Sequence, residues 1–408
     1  MNLLSKTDKL NVSKEWRTKM EKSSVNTAWW QKPSKATNVN EHRVVSVIEL
    51  FCDLVFVAYI GSISHHLVGQ MTFKGITTFI ILFSIGWMIW LNSALYHDLH
   101  GNNDFRTRFN TFIQMILIGL MTVFTHDVLG HFYVYYVSVY AGITIFIGFL
   151  WRETGIADPS HLVYSKPYSR VYFLLGMLLI ASIFFPHDYR SIYLGLSVIF
   201  LVAPMISNYL LADSKTKVDY VKRTKLSNAF IERSNLYFII VLGEIVIGAL
   251  NGASHVGINF NSVIMLIFNF LIAFGLWFNH FEFVGYIQHK ESISGYFMWL
   301  FSFYLETIAV AFIGALVYLS YTSLSINTWI VPTVIFFIAI IIHFSFNKKI
   351  NNPNIHLDTK HTKLFMVLSI LILGVSYMIQ VSSLQVVFYL VALYIPVILG
   401  VGLWIRHS

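Results

Sequence analysis

Read from its start, the chain alternates long apolar runs with short polar breaks. The runs are continuous over about twenty residues rather than alternating residue by residue. That is the length a helix needs to cross a hydrocarbon core of about 30 Å. Alternation with a period of two, which would mark barrel strands, is missing. In lipid only helices or closed barrels satisfy their own backbone polar groups, so the runs are read as transmembrane helices. Twelve spans are expected: 45–66, 75–96, 108–127, 131–151, 168–186, 190–211, 230–251, 262–283, 297–320, 326–346, 362–380 and 384–405. The fold class is all-α, a polytopic membrane protein.

Composition supports this reading. Of 408 residues 56% are hydrophobic and 12% charged, roughly half the charged fraction of a soluble protein. The single cysteine, Cys52, lies inside an apolar run and rules out a disulfide or cysteine–zinc framework within the chain. The net charge of +8 sits in tails and loops. It is read as a topology signal and an attraction to anionic headgroups, with the bilayer and not nucleic acid as the partner. Residues 1–44 hold nine Lys/Arg against four acids. They are expected to form a cytoplasmic basic tail, with a short interfacial helix around Trp16 or Trp29–Trp30. If the tail is inside, the outer loops carry only Lys74 and Arg190. That asymmetry places both termini in the cytoplasm of a plasma-membrane protein and favours an even number of spans.

The polar residues also hint at duplication. Ile48-Glu49 opens the first span as Ile231-Glu232 opens the seventh. Trp90-Leu91-Asn92 in the second is echoed by Trp277-Phe278-Asn279 in the eighth. A parallel six-plus-six repeat is expected, with halves 45–211 and 230–408 joined by a basic cytoplasmic linker, 212–229.

Charges in a bilayer are expensive, about 3 to more than 10 kcal/mol at its centre, so the few present are the candidate chemistry. Glu49 and Asp53 lie one turn apart on a helix face, and two such acids should repel until one holds a proton, unless Glu49, near the inner surface, pairs with an Arg or Lys there. Glu244 follows Gly243 about three turns into the seventh span, and Gly243 and Gly248 would let another helix approach. Glu306 sits near the middle of the ninth span. These four are the expected substrate or proton/cation pathway. Asp98, Asp104 and Arg106 near the second loop, Glu232 and Arg233 as a local ion pair, and His280 and Glu282 at the end of the eighth span form the expected supporting network. No metal-ligand spacing, nucleotide loop or nucleophile elbow occurs, so neither a metal nor a cofactor is expected.

The segment VIELFCDLVFVAYIG, residues 47–61, resembles the signature of the bacterial low temperature requirement A (LtrA) family, in which Glu-Leu-Phe-aromatic-Asp-Leu-Val-Phe-Val is typical; Cys52 replaces the aromatic. IERSNLYFIIVLGE, residues 231–244, is similar to a second family element. Ala229 stands where the family has a histidine, and Tyr304-Leu305-Glu306 replaces a Tyr-x-His element. The resemblance implies a membrane protein from a family named for a cold-growth phenotype, hence a link to cold adaptation, and brings no substrate or reaction with it.

Three functions were weighed on this basis. The leading one is a secondary transporter or channel-like permease for a small solute or ion. The second is a membrane enzyme acting on lipid-linked substrates, with Glu49, Asp53, Asp98 and Asp104 gathered round a divalent ion. The third is an accessory protein without turnover. The sequence sets no oligomeric state.

Overall fold

The computed structural model describes residues 29–34, 44–210, 226–285, 287–289, 293–321, 327–349, 359–379 and 382–407. Most of the expected basic tail, residue 211 and residues 212–225 of the expected linker lie outside these.

Among the described residues twelve α-helices form, one at each expected span. They are α1 (Val47–Gly69), α2 (Phe73–His100), α3 (Phe105–Val123), α4 (Tyr133–Ala157), α5 (Leu162–Ser182), α6 (Arg190–Leu210), α7 (Asn228–Val256), α8 (Phe260–Asn279), α9 (Ile293–Leu319), α10 (Asn327–Phe346), α11 (Thr359–Met378) and α12 (Ser382–His407). Among the described residues nine of them are long and apolar enough to cross a membrane. Of the other three, α3 opens with Arg106 and Arg108, and α5 carries Lys166 and Arg170 in its first half. The apolar part of α12 described is the shorter stretch Gln385–Leu399.

Side chains in the polar breaks start these helices. Thr72, Asp104 and Ser227 accept from the backbone N–H groups of Gly75, Thr107 and Phe230. Ser46 with Glu49 and Asn259 with Ser262 make reciprocal caps. Beyond the end of α7, Gly257 adopts a positive φ of 82°, a backbone region that a Cβ disfavours.

Two features fall outside an all-helical reading. Residues Ile287–His289 (β1) pair antiparallel with Asn347–Lys349 (β2), joining the ends of α8 and α10. The end of α8 widens into a π-turn over His280–Val284. Residues 29–34 are not the interfacial helix expected around Trp29–Trp30. They lie across the α2–α3 corner instead, where Trp29 stacks on Phe105 and Asn102 donates to the Lys32 carbonyl.

Packing order organises the bundle. In the first half α1 packs on α2, α2 on α6, α6 on α5, α5 on α4, α4 on α3 and α3 back on α1. In the second half α7, α8, α12, α11, α10 and α9 close a ring in the same order. The two rings meet where α1 and α2 face α7 and α9. The likeness is incomplete: the apolar stretch of α2 is 89% buried and that of α8 only 39%. The outer faces of the helices expose Leu, Ile, Phe and Val freely, as lipid-facing surfaces do.

Candidate functional site: buried charges along the seventh helix

α7 touches both rings and carries the polar residues that join them. Near its start Arg233 reaches into the first half. Its Nε donates to Asp53 Oδ2 at 3.0 Å and its Nη2 to Asp53 Oδ1 at 2.8 Å, a two-pronged pairing with one carboxylate. Its Nη1 donates to Glu49 Oε2 at 3.1 Å. Glu49 Oε1 in turn accepts from the Ser46 hydroxyl, and Trp90 Nε1 on α2 donates to Asp53 Oδ1 at 3.1 Å. Tyr237, one turn beyond Arg233, stacks on Trp90 at 4.1 Å. All three charged side chains are buried, none more than 2% exposed.

This arrangement corrects two expectations. Arg233 does not pair with its neighbour Glu232, which is exposed. The helical twist turns adjacent side chains about 100° apart, so only Arg233 points at α1. The expected repulsion between Glu49 and Asp53 assumed no nearby cation. The guanidinium between them supplies one.

Glu49 is among the residues that line an open cleft of about 970 Å³. Its polar wall includes Ser46, His97, Asp98, Asn102 and Arg108, at the start of α1 and the α2–α3 corner. The other acids of that corner do not gather round a common centre. Asp98 accepts from the Ser227 hydroxyl. Asp104 caps α3, accepting from Thr107 N and Oγ1 and from Gln31 N. Arg106 pairs with Glu153 on α4 at 2.7 Å and donates to Tyr96. Among the described residues no three His, Cys, Asp or Glu converge to hold a metal ion. The divalent-ion arrangement weighed for a lipid enzyme is therefore not assembled there.

Deeper along α7, about 16 Å of helix rise beyond Arg233, lies Glu244. It sits at a three-helix crossing. Its Oε1 is 3.2 Å from where a Cβ on Gly61 of α1 would be, and its own Cβ is 2.8 Å from the corresponding point on Gly314 of α9. A Cβ on Gly248 would stand 3.0 Å from the Gly314 carbonyl oxygen, the close approach predicted from the sequence, whereas one on Gly243 would meet nothing within 4 Å.

Glu306 forms a separate group in the second half. Its Oε1 lies 2.8 Å from His280 Nδ1, and His280 Nε2 lies 3.2 Å from Asn235 Oδ1 on α7. His343 on α10 stands 3.7 Å from the other carboxylate oxygen. Glu282, on the same π-turn as His280, is half-buried. Sequence reading missed Glu153, Asn235 and His343. A histidine inside the apolar run Ile342-His343-Phe344 was the available signal.

Apolar outer faces, nine membrane-length helices among the described residues and ion pairs buried between helices define a polytopic α-helical membrane protein, embedded in a lipid bilayer. The chain matches the family described as Bacterial low temperature requirement A protein (LtrA) over residues 44–403, and it belongs to that family. No curated protein and no solved structure matches it significantly.

Proposed function

We propose that the protein is a secondary transporter or channel-like permease that moves a proton or small cation between its two six-helix halves. The supporting observation is the Arg233 guanidinium of one half, held by Asp53 and Glu49 of the other, with Glu49 also lining an open cleft. A cation that reaches Glu49 from the cleft competes with Arg233 for the same carboxylates. Displacing Arg233 loosens the contact between the halves, the motion that alternating access requires. Glu244, at the crossing of α1, α7 and α9, lies next along the same helix, and Glu306 forms a separate buried group in the second half. On this reading all twelve helices span the membrane, both termini are cytoplasmic, and the halves are a parallel repeat. The matching order of neighbours in the two rings supports the repeat.

The test is flux into liposomes holding the purified protein and a pH-sensitive dye, under an imposed proton or cation gradient. Protein-dependent proton movement, abolished in Glu244→Gln and Asp53→Asn while both variants remain folded, is expected. Wild-type flux in both folded variants would remove the proposed pathway.

A further inference from the structure

We infer that Glu306 and His280 share one buried, exchangeable proton, and that His343 is its second acceptor. The inference deepens the permease reading by naming the coupled ion as a proton, and it stands on the geometry of the resting protein.

The backbone oxygen of Gly285 accepts from Asn235 Nδ2 at 3.2 Å. That bond orients the amide so that Oδ1 faces His280 Nε2, also at 3.2 Å. An amide oxygen only accepts, so Nε2 carries a hydrogen. The other ring nitrogen, Nδ1, lies 2.8 Å from Glu306 Oε1. Two lone pairs do not face each other at that distance, so a proton lies between them. The pair is either an imidazolium beside a carboxylate or a neutral imidazole beside a carboxylic acid. Both forms are neutral overall, which suits side chains no more than 1% exposed. Phe238 fixes the imidazole plane by stacking on it at 3.7 Å and 7°. The π-turn at His280 departs from the regular course of α8, as such turns often do at functional sites.

The far side of the carboxyl is open. Glu306 Oε2 has no hydrogen-bond partner, and neither ring nitrogen of the fully buried His343 has one. The gap of 3.7 Å between Oε2 and His343 Nε2 is just beyond hydrogen-bond reach. A half-turn of the protonated carboxyl about its Cγ–Cδ bond exchanges its two oxygens and carries the O–H from His280 Nδ1 to the side that faces His343 Nε2. The O–H bond on Glu306 then breaks as an N–H bond forms on His343, leaving a carboxylate drawn towards an imidazolium and away from His280 Nδ1, and again no net charge. The groups facing the cluster are Asn235 and Phe238 from α7, Trp299 from α9, and His343 from α10. Among the described residues no Lys or Arg pairs with Glu306.

Nitrogen NMR of protein carrying ¹⁵N-labelled histidine, in lipid nanodiscs, tests this without reading transport. The His280 signal is assigned by its loss in His280→Gln. It should show a protonated Nε2 and a strongly hydrogen-bonded Nδ1. The Nδ1 signal should shift in Glu306→Gln and not in Glu282→Gln. If Glu306→Gln fails to fold, Glu306→Asp, which keeps the carboxyl but draws it back, should weaken the Nδ1 bond. In His343→Phe the His280 signal should stay while the shared proton exchanges with deuterium more slowly. A bare Nε2, or a His280 signal indifferent to Glu306, overturns the shared proton. Unchanged exchange in His343→Phe overturns the second acceptor. Loss of flux alone bears only on the permease reading.

Discussion

Arg233 and Asp53 stand 180 residues apart in the chain and share two hydrogen bonds, of 3.0 and 2.8 Å, inside the bundle. The pairing ties α7 to α1 and so one ring of six helices to the other. Burying both ions brings little net stability, because each gives up its hydration, but removing one partner strands the other. Asp53→Ala is therefore expected to destabilise the protein by about 3 kcal/mol. The double variant Asp53→Ala/Arg233→Ala should lose clearly less than the two single losses added together. Thermal unfolding in detergent, run as a double-mutant cycle, measures this, and additive losses would contradict the pairing.

Two glycines on neighbouring helices should respond with opposite signs. A Cβ on Gly314 would stand 2.8 Å from Glu244 Cβ and 3.2 Å from its carbonyl carbon, so α7 and α9 must part to admit it. Gly314→Ala is expected to destabilise by about 1–3 kcal/mol, the usual penalty of overpacking. A Cβ on Gly243 meets nothing within 4 Å. Gly243→Ala should stabilise the helix by about 0.5–1 kcal/mol, through helix propensity alone. Unfolding midpoints moving in the same direction for both would contradict this helix crossing.

At the α2–α3 corner, Asp104 should make stability depend on pH at the acid end. Burial pushes its carboxyl up. The hydrogen bonds from Thr107 and Gln31, with the Arg106 charge, outweigh burial and hold it below its ordinary value. A depressed value in the folded state means that the carboxylate form stabilises the fold. The contribution is complete above the unfolded value near 4 and is lost as pH falls below it. Asp104→Asn keeps a capping oxygen but not the charge. Its deficit relative to wild type should be present at neutral pH and shrink as pH falls below about 4. Asp104→Ala should lose about 1 kcal/mol more, the value of a cap.

The sequence carried the helices because a membrane span writes itself into twenty consecutive residues, and every expected span contains a helix. It carried the list of costly residues for the same reason: Glu49, Asp53, Arg233, Glu244 and Glu306 are all buried. Their partners were not legible, because partnership is set by which helices meet. Arg233 looked like a neighbour of Glu232, yet its partners lie on α1. His280 was expected only as part of a supporting network at the end of the eighth span, yet the π-turn and Asn235 place it against Glu306. Even a correct charge list leaves open whether two acids repel or share a cation.

The basic loops make a prediction about orientation that the single cysteine makes easy to test. Cys52 is fully buried among α1 contacts, so Cys52→Ala gives a background without reactive thiols. On it, Thr7→Cys reports the tail, Asn102→Cys the α2–α3 corner and Lys74→Cys the α1–α2 turn. Lys and Arg concentrate on the cytoplasmic side of membrane proteins. The tail and the α2–α3 corner are rich in them, whereas Lys74 is nearly alone on its side. In right-side-out vesicles a membrane-impermeant maleimide should therefore label position 74 and spare positions 7 and 102, and in inverted vesicles the reverse should hold. Labelling of positions 7 and 102 in right-side-out vesicles, with position 74 spared, would place the tail outside and invert the topology. Labelling of 7 and 102 from opposite sides would mean that α1 and α2 do not both cross, and with that the proposed two-ring pathway would lose its first two walls.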